Sequence, residues 1–163
     1  MSRWSTTTKN TRLGKTDMTA KEFLSQYYAA ERQQNILTRE LNELRQSATD
    51  IKATDYSKVV VDGTKNPDVI GEVIASIERA EGKLKRALAA SHKAKAEVIA
   101  VLVQIDDADV HDVLEKRFIQ FKPWSQIEDE MFYSLRSLHY LKVRGYEEVE
   151  EIIRREYGKD RNN

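Results

Sequence analysis

Apolar residues recur along this chain at alternating steps of four and three over two long stretches, the spacing that lines one face of a helix. The first stretch runs Phe23, Tyr27, Ala30, Gln34, Leu37, Leu41, Leu44, Ala48 and Ile51, a heptad seam of about four repeats. Its polar member, Gln34, either fixes register or lies at a wet edge. Thr19 followed by Glu22 has capping-box spacing and predicts where this helix begins. The second stretch runs Ile70, Ile74, Ile77, Glu81, Leu84, Leu88, Ser91, Lys95, Val98, Leu102 and Ile105, with Val73, Ala80, Ala87, Ala94 and Val101 widening the stripe. Small residues in its middle let another helix approach closely. Glu81, Ser91 and Lys95 weaken this second seam, which leaves the arm partly open or awaiting a partner.

Between the stretches, from Thr49 to Asn66, the period is lost. Val59-Val60-Val61 forms a short extended piece before a turn at Asp62-Gly63, or the whole segment is a mobile loop. Asn66-Pro67-Asp68 then supplies a cap, a fixed φ and a negative charge for a new helix start. The expected fold is all-α: a long antiparallel helical hairpin (coiled coil) over 18–106, with its loop near 52–66 and arms on the order of 50 Å. Two such hairpins pairing into a four-helix bundle would make a homodimer. Residues 1–17, rich in Ser, Thr, Lys and Arg, are expected to be a flexible tail. Its Trp4 is a partner anchor or a loosely packed surface residue.

The remaining 107–157 is expected to be a small helix-turn-helix head, with a frayed tail at 158–163. Val110, Val113, Leu114, Phe118 and Phe121 give its first helix an apolar face, and Lys122-Pro123 breaks that helix. From Trp124 to Arg144 the pattern predicts two short helices. Counted from Trp124, the fourth, eighth, fifteenth and eighteenth residues are Ile127, Met131, Leu138 and Leu141, all apolar. Two helices crossing steeply around a tight turn require this. The turn falls at Phe132-Tyr133, and Ser134 stands where its oxygen would cap the next helix. From Ser134 to Arg144 there are Arg136, His139, Lys142 and Arg144 and no acidic residue. A basic amphipathic second helix suits a major-groove reader, or a helical hairpin that packs on another protein. Gly145 is expected to interrupt the helix, and Val149, Ile152 and Ile153 to form a final short cover for the head.

Val113-Leu114 with Arg117-Phe118, then Trp124-Ser125, Ile127, Met131 and Tyr133-Ser134 with Arg136 resemble the C-terminal part of the ArpU-type phage regulators. The helix-turn-helix of that family is similar to the fourth region of bacterial sigma factors. Two positions depart from the pattern: Glu128 stands fifth, usually a small residue, and Phe132 ninth, commonly Gly. The resemblance implies a sequence-specific DNA-binding regulator of phage or prophage origin that activates late genes. Its partners would be double-stranded DNA and host RNA polymerase.

On that reading Arg136, Ser137, His139 and Tyr140 face the bases. Lys142 and Arg144 lie against phosphates, as do Ser125 and Gln126 at the start of the preceding helix, with Ser134 as the cap. The alternative is a coiled-coil adaptor or structural protein without DNA readout.

Charge changes this picture little, because 27 basic residues balance 27 acidic ones. Basic runs stand at 1–17 and 79–95, and on a long helix such a run is more often a solvated face than a phosphate track. With no cysteine there is no disulfide framework or thiol nucleophile. No apolar run suits a membrane span or a secretion signal, so a protein of the bacterial host cytoplasm is expected. A nucleophile with its base, a phosphate loop and a paired-acid cleft are not apparent, and neither enzyme activity nor a cofactor is expected. Asp106, Asp107, Asp109 and Asp112 around His111 read as acids gathered at a helix start, with a metal site as the alternative.

Overall fold

A computed structural model describes residues 18–57 and 67–158, with side chains at 51–70 left out of that description. It is all-helical: α1 (Ala20–Ser57), α2 (Pro67–Leu102), α3 (Ala108–Phe118), α4 (Trp124–Met131) and α5 (Leu135–Tyr157). The expected tail at 1–17, all of the expected tail at 158–163 but Gly158, and the Val59-Val60-Val61 segment lie outside the described residues. α1 carries on to Ser57, past the point where the period is lost. Among the described residues no helix is long and apolar enough to cross a membrane.

The start of α1 follows from its first four residues. Thr19 donates its backbone N–H to Glu22 Oε2 at 2.8 Å, and Glu22 returns its own N–H to Thr19 Oγ1 at 3.3 Å. These reciprocal bonds satisfy N–H groups that a helix start leaves without partners. The Thr19 backbone N–H first, and then the Thr19 hydroxyl donating to Glu22 Oε2 at 2.9 Å, hold the Glu22 carboxyl below its ordinary value.

The chain divides into two compact units. One is residues 25–100, the hairpin; the other takes the chain up to Leu24 and from Val101 onward. In the hairpin α1 and α2 run antiparallel. Arg45 Nη2 reaches Glu81 Oε1 at 2.7 Å, and Lys95 Nζ lies 5.5 Å from the Tyr27 ring centre. On α1 the seam residues from Tyr27 to Ala48 are all buried or half-buried.

On α2 the seam is rotated from its expected position. Val73, Ala80, Ala87 and Ala94 join Ile77, Leu84, Ser91 and Val98 on the covered face, while Ile74, Glu81 and Leu88 are exposed. The residues expected to widen the stripe are therefore its centre. Rotation places Glu81 and Lys95 at the edge, where each finds a partner on α1, and Ser91 remains buried.

The second unit has its own core. Val110, Val113, Leu114 and Phe118 of α3 pack with Ile127 of α4 and with Leu138, Leu141, Val149, Ile152 and Ile153 of α5. Ala20, Phe23 and Leu24 are buried at the start of α1, as are Val101, Leu102 and Ile105 around the end of α2. The Phe23 and Tyr157 ring centres lie 6.2 Å apart, and Glu150 Oε1 accepts the Ala20 N–H at 3.4 Å. Gln104 bonds both Glu156 and Arg155. The first turn of the long hairpin thus belongs to the head.

α5 does not break at Gly145. It is one helix of 23 residues, and the glycine marks where α3 crosses it. A Cβ built at Gly145 would stand 2.7 Å from Leu114 Cδ1 and 3.0 Å from Val110 Cγ1. Both neighbours are fully buried and have nowhere to retreat. Overpacking costs about 1–3 kcal/mol, more than the roughly 1 kcal/mol that Ala gains over Gly within a helix. Gly145→Ala is therefore expected to lower the urea midpoint of the protein, and a raised midpoint would show that the crossing has slack.

Candidate nucleic-acid interface

The head builds its helix-turn-helix from local signals. Asp107 caps α3, its Oδ1 accepting the N–H groups of Asp109 at 3.0 Å and Val110 at 3.2 Å. The Val110 bond first, then the Arg144 guanidinium and last the Asp109 bond, hold its carboxyl below the ordinary value. α3 ends at Phe118, and Phe121, expected on its face, lies beyond the end with φ 55°. Arg117 Nη1 donates to the Lys122 carbonyl at 2.8 Å and closes that turn.

α4 is short, and Phe132 ends it in the left-handed conformation, φ 56°. That region disfavours any residue with a Cβ and explains why Gly is common at such a turn. Ser134 then caps α5, its Oγ accepting the Ser137 N–H at 3.2 Å.

Glu128, at the position where a small residue is usual, has a local task. Its Oε1 accepts the Leu135 N–H at 3.1 Å and satisfies a second donor at the start of α5. Tyr133 donates its hydroxyl to Asp109 Oδ2 at 2.8 Å, which ties the turn to α3 and raises the phenol above its ordinary value. Neither bond shows in the sequence, because both depend on residues brought together by the turn.

The nine expected contact residues separate into groups. Arg136, His139 and Tyr140 are exposed on the outer face of α5, together with Val143. Tyr133, Arg136, Ser137, Tyr140 and Leu141 line one shallow groove of about 390 Å³. Ser134 stands at the mouth of α5 as its cap. Lys142 turns the other way, its Nζ 5.6 Å from the Trp124 ring centre and 5.9 Å from that of Tyr146. Arg117 lies 5.3 Å from the same Trp124 ring. Arg144 binds Asp107 Oδ2 at 2.9 Å and joins α5 to the start of α3.

On α4 Ser125 and Gln126 are both exposed. Gln126 Nε2 donates to Glu130 Oε1 at 2.9 Å. At the turn, apolar side chains outside the expected contact set are exposed as well: Phe132, 94 % exposed, and Leu135, 52 % exposed at the first position of α5.

Around His111, Asp107 and Asp109 have the structural tasks just described. His111 Nδ1 lies 3.5 Å from Asp112 and 3.8 Å from Glu115 on a solvent-washed face.

Glu130 gathers the cations of the inner side. Lys122 approaches it at 2.7 Å and Lys116 at 2.9 Å. Hydrogen bonds from Lys122, then from Lys116, pull its carboxyl down from 4.5 to about 2. A depressed carboxyl stabilises the fold above its unfolded value and loses that contribution as pH falls through the folded one. Acid titration should therefore destabilise the head between pH 4.5 and about 2. Glu130→Gln is expected to flatten that part of the stability curve, measured by urea unfolding at several pH values. An unchanged slope would remove Glu130 as its cause.

Comparison with protein-family models, curated proteins and solved structures gives no match.

Proposed function

We propose that this protein is a sequence-specific transcription regulator of phage or prophage origin that binds double-stranded DNA and activates late genes. The observation carrying this reading is the outer face of α5. Over its first three turns it presents Arg136, His139, Tyr140 and Val143, and acids begin only at Glu147. A major groove admits the N-terminal half of such a helix, with an arginine paired to guanine and an apolar group against a thymine methyl. Ser134, Ser137 and Ser125 would face the sugar-phosphate edge. Activation would follow from contact with host RNA polymerase, as the likeness to sigma-type regulators suggests.

A second reading is favoured by Phe132 and Leu135, whose exposure at the turn suits a protein-docking adaptor. Selection of bound fragments from random duplexes by the purified protein separates the two. One enriched site, with a binding constant that falls steeply with salt, supports the regulator. No enrichment by a folded, helical protein supports the adaptor.

Arg136→Ala is expected to cost about 1–3 kcal/mol at the preferred site and to relax base preference at one position. Arg144→Ala should instead weaken the head by roughly 1 kcal/mol or less, as a partly exposed ion pair is lost. If Arg136→Ala leaves both affinity and preference untouched, the groove assignment fails.

A further inference from the structure

The hairpin leaves part of α2 uncovered. Ile74, Glu81, Leu88 and Lys95 lie seven apart, and Glu78, Lys85, His92 and Ile99 each follow one of them by four. Together they make a stripe roughly a quarter turn around the helix from the seam that α1 covers. That is the angle at which a square four-helix bundle brings in a second neighbour. All eight are exposed except Lys95, which is half-buried. Three of them are large and apolar: Ile74, 52 % exposed, Ile99, 39 %, and Leu88, 36 %. A single exposed apolar residue needs no explanation, whereas three on one stripe at heptad spacing indicate something that covers them.

Charge selects what that is. Residues 71–82 hold Glu72, Glu78 and Glu81 against Arg79, whereas residues 83–96 hold Lys83, Lys85, Arg86, Lys93 and Lys95 with no acid. An identical helix laid antiparallel about residues 86 and 87 sets Glu78 and Glu81 against the segment that holds His92, Lys93 and Lys95, while Lys83, Lys85 and Arg86 of both copies flank the centre. A phosphate backbone would be attracted by one half and repelled by the other.

We propose that this stripe is the interface of an antiparallel homodimer, α2 packing on α2 of a second copy about a two-fold axis near Arg86 and Ala87.

The register follows from the sequence of the stripe. In an antiparallel pair, residues of one row face residues of the other row on the partner helix. Pairing positions 74 with 99, 78 with 95, 81 with 92 and 85 with 88 puts Ile on Ile and Glu on Lys. Glu81 then meets His92, and the Lys85 stem lies along Leu88. Slipping one heptad in one direction sets Lys85 against Lys95 and Glu81 against Ile99. Slipping the other way sets Ile74 against His92 and Glu78 against Leu88. A parallel pair in register would stack Glu81 on Glu81 and Lys95 on Lys95, which repels.

The chain has no cysteine, so introduced thiols report contact cleanly. Positions 74 and 99 are about 37 Å apart along one helix, far beyond disulfide reach within a copy. Light scattering on the full chain at tens of micromolar should give twice the 18.9 kDa chain mass. Mild oxidation should convert Ile74→Cys/Ile99→Cys to a covalent dimer, while neither single variant links at a comparable rate. Glu78→Lys and Lys95→Glu should each weaken the dimer about ten-fold, and the combined reversal should restore it.

A monomeric wild-type mass overturns the proposal, as does a monomer in which Lys95→Glu lowers DNA affinity, since the stripe would then follow phosphates. Cross-linking of the single variants as fast as the double would mean a parallel or shifted pairing and would overturn it too. So would a combined reversal that fails to rescue.

Discussion

The contact on which the head depends is the crossing of α3 over α5 at Gly145. With no Cβ in the way, Leu114 and Val110 press against the backbone of α5. The helix needs no break there and runs on to Tyr157. One continuous helix therefore serves two ends. Its first turns carry the exposed face of Arg136, His139 and Tyr140, and its last turns hold the start of α1 and the chain after α2. Because the exposed face and the packing face lie on one helix, packing around Phe23 and Val149 fixes where Arg136 stands.

Counting charge along α5 overstates what it can offer a polyanion. Of the cations near the motif, Arg144 is held by Asp107, Lys142 lies over two aromatic rings, and Lys116 and Lys122 converge on Glu130. Ion pairs at half-exposed sites contribute modestly to stability, but they orient side chains. Here they draw positive charge inward, around Trp124 and the start of α3. What remains outward on the first turns is a small set, Arg136 and His139 beside Tyr140.

Both departures from the motif find a physical account. Glu128 replaces a small residue and uses its length to cap α5. Phe132 takes the left-handed conformation that glycine adopts at no cost, and its ring projects into solvent. Among the described residues the ring of Phe132 packs against little that would offset that conformation.

Local chemistry is legible in the sequence alone. The capping box at Thr19 and Glu22, the caps at Asp107 and Ser134, the helix start at Pro67 and the core phase of Ile127, Leu138 and Leu141 all rest on neighbours within a few residues. So does the all-helical class, because heptad spacing needs no partner to be seen. Three matters are settled only by the tertiary structure. The seam of α2 turns so that its alanines face α1, since close approach depends on both helices. Gly145 reads alone as a helix breaker and becomes a crossing point only when α3 lies on it. The neighbours of Lys142 and Arg144, which are Trp124, Tyr146 and Asp107, come together only in the fold. A side chain's partner is chosen by three-dimensional proximity, and a linear spacing records only the partners within its own turn of helix.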